Sequence, residues 1–191
     1  MPVRVDRNIL RVPKRARNAE AASFLAQLDD LSRRMFDDLA SIKAAELAWQ
    51  PRRGANTIGM LLAHNAIVEV YWMLVATGDL KGERLEEVLG LSMDGDGIPM
   101  PESGEGPAHL RGRSLAWYRK LHDRARAFAT PILMRMDAAT LEKIVKRPRR
   151  DGSRHDSNVR WILYHVLEHQ AGHYGQMLLL RHLYADRRKR S

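Results

Sequence analysis

Three histidines stand four residues apart in the stretch YHVLEHQAGHYGQML, residues 164–178: His165, His169 and His173. On a helix, residues four apart lie one turn above each other on nearly the same face. His169 and His173 can therefore direct two imidazole nitrogens at one point, as helical two-histidine metal sites do. The stripe drifts by about 40° per step at 3.6 residues per turn, so one ion does not take all three in good geometry. A third ligand has to come from a facing helix, and His64, set in a long apolar segment, is the candidate. Two ligands from one helix and one from a neighbour leave a coordination position open, which is the arrangement of a catalytic site.

The plainer reading is a set of hydrogen-bonded core histidines. A lone histidine on an apolar face is usually that, and HxxxH arises in helices by chance. What sets this stretch apart is Gly172 before His173 and Gly175 after it. Glycine inside a helix costs about 1 kcal/mol relative to alanine. Two in one turn predict close packing or room for a ligand beside the imidazoles. The chain contains no cysteine. That excludes disulfides, thiolate ligands and a cysteine nucleophile, so a metal must be held by imidazole and oxygen, and any reacting thiol must come from outside.

The elements that must position these residues read as helices. Phe24, Leu28, Leu31, Met35, Leu39 and Ile42 recur at steps of three and four and predict an amphipathic first helix. A loop with Pro51 and Gly54 ends in Asn56, a good N-cap, and a second helix follows from Thr57 to Thr77, closed by Gly78. It is apolar nearly all round and belongs deep in the fold, where His64 and Glu69 need partners. From Asp79 to Pro107 the period is lost, which predicts a long loop, a flap or a mobile crossover. Its DGDG has some look of a calcium loop but lacks the ligand alternation and the distant glutamate, which excludes calcium. A third long helix is predicted from Ala108 to Thr130, kinked or ended by Pro131, and a short one is opened by Asp137. The last runs from Asn158 to Tyr184, capped by Asp156 or Ser157. No segment alternates as a strand does, and nothing repeats. The expectation is an all-α four-helix bundle with a long crossover loop.

The chain of 191 residues is most simply one domain. We expect a basic, flexible arm over residues 1–18, a helical domain over 19–184 and a basic tail over 185–191. Hydrophobic residues make up 45% and charged residues 29%, a balance that excludes intrinsic disorder. The opening residues carry no apolar run of the secretory kind, and the apolar runs fall short of a membrane span. A cytoplasmic protein without a membrane partner is expected. Lys and Arg (32) exceed Asp and Glu (23) by 9, and the excess gathers at the two ends and in KRPRRDGSR, residues 146–154. No aromatic residues interleave these runs, so the base-stacking platform of a nucleic-acid binder is missing.

The stretches LAWQPRRGANTIGMLLAHNAIVEVYW and VRWILYHVLEHQAGHYGQMLLLR resemble the DinB-like metal-binding four-helix bundles. The likeness lies in a histidine following the N-T-I-G helix start and in H-x-x-x-H-x-G-Q on the last helix. By order of elements it extends over residues 19–184. The resemblance implies that His64, His169 and His173 hold a divalent ion, zinc or nickel foremost, with water completing the shell. Characterised relatives include thiol transferases using bacillithiol or mycothiol and a mycothiol-dependent maleylpyruvate isomerase. It implies a metal-dependent enzyme that acts on a small-molecule substrate with an external low-molecular-weight thiol. A metal-dependent hydrolase on the same site is the alternative, and a non-catalytic stress-related binding module with basic arms is another.

His165 falls outside the implied ligand set. It reads either as a catalytic proton carrier, or a partner of a carboxylate such as Glu69, or as a core histidine. Gln176 reads either as a group that bonds a ligand imidazole or the substrate, or as packing. Glu69 turns away from His64 and reads as a buried partner. Tyr71, Trp72 and Trp161 read as core, and His109, His122, His155 and His182 as surface. Bundles of this size often dimerise, and Leu25 and Phe36 on the first helix are the candidates for a homodimer face.

Overall fold

The most apolar segment of the chain becomes the helix on which the others pack. In the computed structural model, which describes residues 9–79, 82–148 and 151–187, this segment is α3 (Ile58–Thr77). It follows α1 (Ala19–Asp38) and the single turn α2 (Ala44–Leu47). Asn18 caps α1 by accepting from Glu20 and Ala21 N–H, and Thr57, one residue later than expected, caps α3 by accepting from Met60 N–H. Gly78 closes α3 in the left-handed conformation that glycine adopts without strain. The remaining elements are α4 (Gly82–Leu89), a 3-10 turn (Ala108–Leu110), α5 (Leu115–Arg135), α6 (Ala138–Glu142), β1 (Ile144–Pro148), β2 (Arg154–Asn158) and α7 (Val159–Arg187). The fold is all-α and bundle-like. α3 packs against α5 and α7, and α1 packs against the same two from the opposite corner.

Several expectations change. The segment after Asp79 is not structureless: Leu85 and Leu89 of α4 are buried, and the helix packs on α3 and α5. α5 starts at Leu115 under a Ser114 cap, and Pro131 neither ends it nor stops it before Arg135. The basic stretch expected as a loop carries an antiparallel hairpin, Ile144 opposite Asn158 and Pro148 opposite Arg154. Its strands are largely polar and give no alternating signal. Asn158, not Asp156 or Ser157, caps α7 by accepting from Trp161 N–H. α7 runs three residues past the expected end, into the predicted tail. Of the predicted arm, residues 1–8 lie outside the described residues, and Arg17 N–H is bonded to Met134 C=O. Leu25 and Phe36 are buried, which removes them as a dimer face. α3 is long and apolar enough to cross a membrane, yet most of it is buried inside the bundle.

One polar cluster joins all four long helices. Arg126 of α5 holds Glu69 of α3 with two bonds, Nε to Oε1 at 2.7 Å and Nη2 to Oε2 at 3.1 Å. The same guanidinium donates to Asp29 and, at 3.2 Å, to Ser32 of α1. Gln170 of α7 donates to the Ser32 hydroxyl at 2.8 Å. Burial alone would lower the Arg126 pKa, but the Glu69 and Asp29 carboxylates together outweigh it and raise it. Removing one partner of such a pair leaves an uncompensated buried charge. Arg126→Met is therefore expected to lower unfolding free energy by about 3–5 kcal/mol in urea titrations.

His122, expected at the surface, is buried against Phe36 with its Nε2–H on Leu62 C=O at 2.9 Å. Burial pushes its pKa down to about 4. The ring is neutral in the fold, whereas the unfolded chain takes up a proton near its ordinary value of about 6.5. The stability this contributes is complete above pH 6.5 and is lost as pH falls toward 4, with a slope approaching ~1.4 kcal/mol per pH unit. Thermal melts of His122→Leu should show a smaller loss of Tm between pH 7 and pH 4 than wild type.

Candidate metal centre

α3 supplies His64 and α7 supplies His169 and His173 to one cluster. His64 Nε2 lies 3.1 Å from His169 Nε2, which lies 3.2 Å from His173 Nε2. The three ligand atoms all fall within 4.8 Å of one another. The outer nitrogens decide which way the lone pairs point. His64 Nδ1–H donates to Asp96 Oδ2 at 2.8 Å, and His173 Nδ1–H donates to Gln176 Oε1 at 2.9 Å. With a proton on each outer nitrogen, the Nε2 lone pairs of both rings face inward.

Burial disfavours the charged form of the two α7 rings. Burial pushes the His169 pKa down to about 3, and charge on His173, His64 and His165 would push the same way. Burial also lowers His173, against the Gln176 hydrogen bond. Neutral imidazoles with converging lone pairs are what a divalent cation requires, and imidazole suits zinc, nickel, copper and iron. The donor set fits such an ion: three histidines from two helices, half-buried, two of them oriented from outside. His169 Nδ1 is buried without a hydrogen-bond partner.

Asp96 is the residue that sequence reasoning missed. It is fully buried in the DGDG stretch, and its Oδ1 accepts from Ile98 N–H at 2.8 Å while Oδ2 serves His64. The turn is tied down from outside by His109, exposed as expected, whose Nε2–H donates to Gly95 C=O at 2.7 Å. An acid among glycines, in a loop that has to return across α3, was the available signal.

His165 stands outside the converging set. Its ring stacks on Trp161 at 4.8 Å and 6°, meets the edge of Trp72 at 5.0 Å, and lies 5.8 Å from the His169 ring. Nδ1 pairs with Glu168 at 3.0 Å, not with Glu69, which Arg126 occupies. Trp72 is buried in the core as expected, and Tyr71 and Trp161 are half-buried. Arg147 of β1 lies over Trp72 at 4.4 Å, so the hairpin packs onto this aromatic wall. His155 packs against Trp161 and is half-buried, and His182 is exposed. A Cβ on Gly172 or Gly175 would meet nothing within 4 Å. The glycines do not serve close packing; they leave open space along α7 next to the imidazoles.

A carboxylate behind a ligating histidine fixes its tautomer and raises its basicity. Asp96→Asn is expected to weaken zinc binding by about 10–100-fold in competition titrations with a chromophoric chelator, with the helical circular dichroism unchanged.

The family model described as mycothiol-S-transferase matches residues 23–186. A comparison with curated proteins finds no match.

Proposed function

Since the chain belongs to the mycothiol-S-transferase family, we propose that it is a divalent-metal-dependent enzyme that joins an external low-molecular-weight thiol to an electrophilic small molecule. Mycothiol, the thiol in the family's name, is the proposed donor. The observation that carries the reading is the convergence of three imidazoles, two of them oriented from behind by Asp96 and Gln176.

In this reading His64, His169 and His173 hold zinc or nickel through Nε2. The ion supplies a Lewis acid, which lowers the pKa of a thiol so that it reacts as thiolate at neutral pH. Asp96 keeps the His64 proton on Nδ1. Gln176 does the same for His173 and retains its amide N–H for the thiol compound. His165 takes the thiol proton at Nε2, because Nδ1 is already held by Glu168, whose carboxylate stabilises the resulting imidazolium. Trp161 and Trp72 hold that ring in place. The open space beside Gly172 leaves room for the thiol compound. Use of a reduced external thiol fits a protein of the cytoplasm.

Plasma mass spectrometry on untagged protein purified without chelator tests the site. The expected result is about one zinc or nickel per chain, as the single three-histidine cluster among the described residues requires, with none in His64→Ala or His169→Ala. A wild type that is metal-free and takes up neither ion would sink the reading. His165→Ala is expected to keep its metal while losing about 100-fold in kcat for thiol conjugation.

A further inference from the structure

A second cavity, of ≈ 510 Å³, opens one helical turn before His64, at the start of α3. Its volume lies in the range of small-molecule sites. The floor is apolar, formed by Leu47, Met60 and Leu110, all buried. The rim carries three guanidinium groups, Arg52, Arg53 and Arg111, against one carboxylate, Glu105, which Arg111 holds at 2.8 Å. Among the described residues, Arg52 and Arg53 have no carboxylate partner. Elsewhere in the fold the inward-turned arginines are paired: Arg126 with Glu69, Arg160 with Glu20 and Glu142, Arg181 with Glu46.

The cavity walls are built. Gln50 Nε2 donates to Ala55 C=O at 2.8 Å and to Gly104 C=O at 3.2 Å, and Gly54 N–H donates to Gly104 C=O at 2.9 Å. These bonds tie the Arg52–Arg53 turn to the segment that carries Glu105. Gly104 has φ +68°, and a Cβ there would press on the Arg53 side chain at 2.8 Å. Met60 also connects the cavity to the segment behind His64. Met60 lies one turn before His64 on α3, and Gly97, directly after Asp96, would carry a Cβ 3.3 Å from Met60 Cε.

We propose that this cavity is the subsite for the electrophilic substrate, and that this substrate is an organic anion, a carboxylate on an apolar, aryl-sized body. The arginines take the carboxylate oxygens and the Leu47–Met60–Leu110 floor takes the body. The proposal rests on the thiol-transfer reading for its use of the bound anion, but binding itself does not depend on the metal. For an activated aryl chloride the balance is simple: the thiolate sulfur forms the C–S bond, the C–Cl bond breaks with its electron pair, chloride leaves, and the thiol proton stays with the base.

The test uses 4-chloro-3-nitrobenzoate, its neutral amide and inorganic phosphate, titrated by calorimetry into metal-free and zinc-loaded full-length protein without thiol. The benzoate is expected to bind both forms, at least 10-fold tighter than the amide, with affinity that falls as salt rises. Arg53→Gln and Arg111→Gln should each weaken the benzoate at least 10-fold and leave the amide unchanged, while Arg84→Gln, an exposed arginine on α4, changes neither. Equal binding of benzoate and amide, or insensitivity to both arginine substitutions, would overturn the proposal. Phosphate binding as tightly as the benzoate would overturn the apolar-body part of it. In turnover with mycothiol, Arg53→Gln should raise KM for the benzoate at least 10-fold with kcat held. Loss of turnover with intact benzoate binding would count against the transfer reading and leave the subsite standing.

Discussion

Three imidazole nitrogens brought to one point are an arrangement that a protein cannot leave uncompensated. At 3.1 and 3.2 Å between adjacent Nε2 atoms, the rings of His64, His169 and His173 repel unless a proton or a cation lies among them. Burial discourages protonation, most strongly at His169. A metal cation satisfies all three lone pairs at once, whereas a proton satisfies at most two. Much of the surrounding structure serves this constraint. Asp96 and Gln176 hold the outer protons, and the rest of the bundle holds α3 and α7 in register.

That register has a physical cause close to the site. Gln170 follows His169 in the chain, and Glu69 lies five residues after His64. Through Ser32 and Arg126 the two are tied to α1 and α5. The cluster is polar and buried, so it tolerates few alternative arrangements of the four helices: a slip of one helix would strand a carboxylate or a guanidinium without water. The apolar layers above and below supply the driving force for packing, with Leu121, Met73 and Ile162 fully buried. Hydrophobic contact makes the bundle close, and the polar cluster narrows where along their length the helices meet.

Periodicity is what made part of this legible. The spacing of His165, His169 and His173 and the apolar surroundings of His64 were enough to place three imidazoles around one point, because a helix converts spacing into direction. The same logic, applied to Tyr118, Leu121, Ala125 and Ala129, would have put His122 inside; its charged neighbours Asp123 and Arg124 obscured it. Asp96 was not legible, since its position depends on how a non-periodic loop closes over α3. The hairpin was not legible either, because Lys146, Arg154 and Asp156 offer no apolar face and its pairing is settled by backbone bonds and by Arg147 lying on Trp72. Helical positions were readable, while groups brought in by loops were not.

The basic excess, which first suggests an anionic macromolecule, divides differently once the fold is known. Arg160 clamps Glu20 of α1 and Glu142 of α6 to the start of α7, and Arg181 clamps Glu46 and Ser41 to its far end. These arginines are spent on holding elements together, and the more exposed of these pairs, Arg160 with Glu142, adds little to stability singly. Their value is positional, since both ends of the helix that carries His169 and His173 are pinned to the α1 side of the bundle. Charge without such a duty remains on the rim at Arg52 and Arg53, beside an apolar floor in which Met60 lies one turn before His64. Positive charge concentrated over a small apolar cavity selects for a compact organic anion. A nucleic acid would need that charge spread along an accessible groove with aromatic faces between the cations, whereas at this mouth, among the described residues, two guanidinium groups without carboxylate partners meet over an apolar floor.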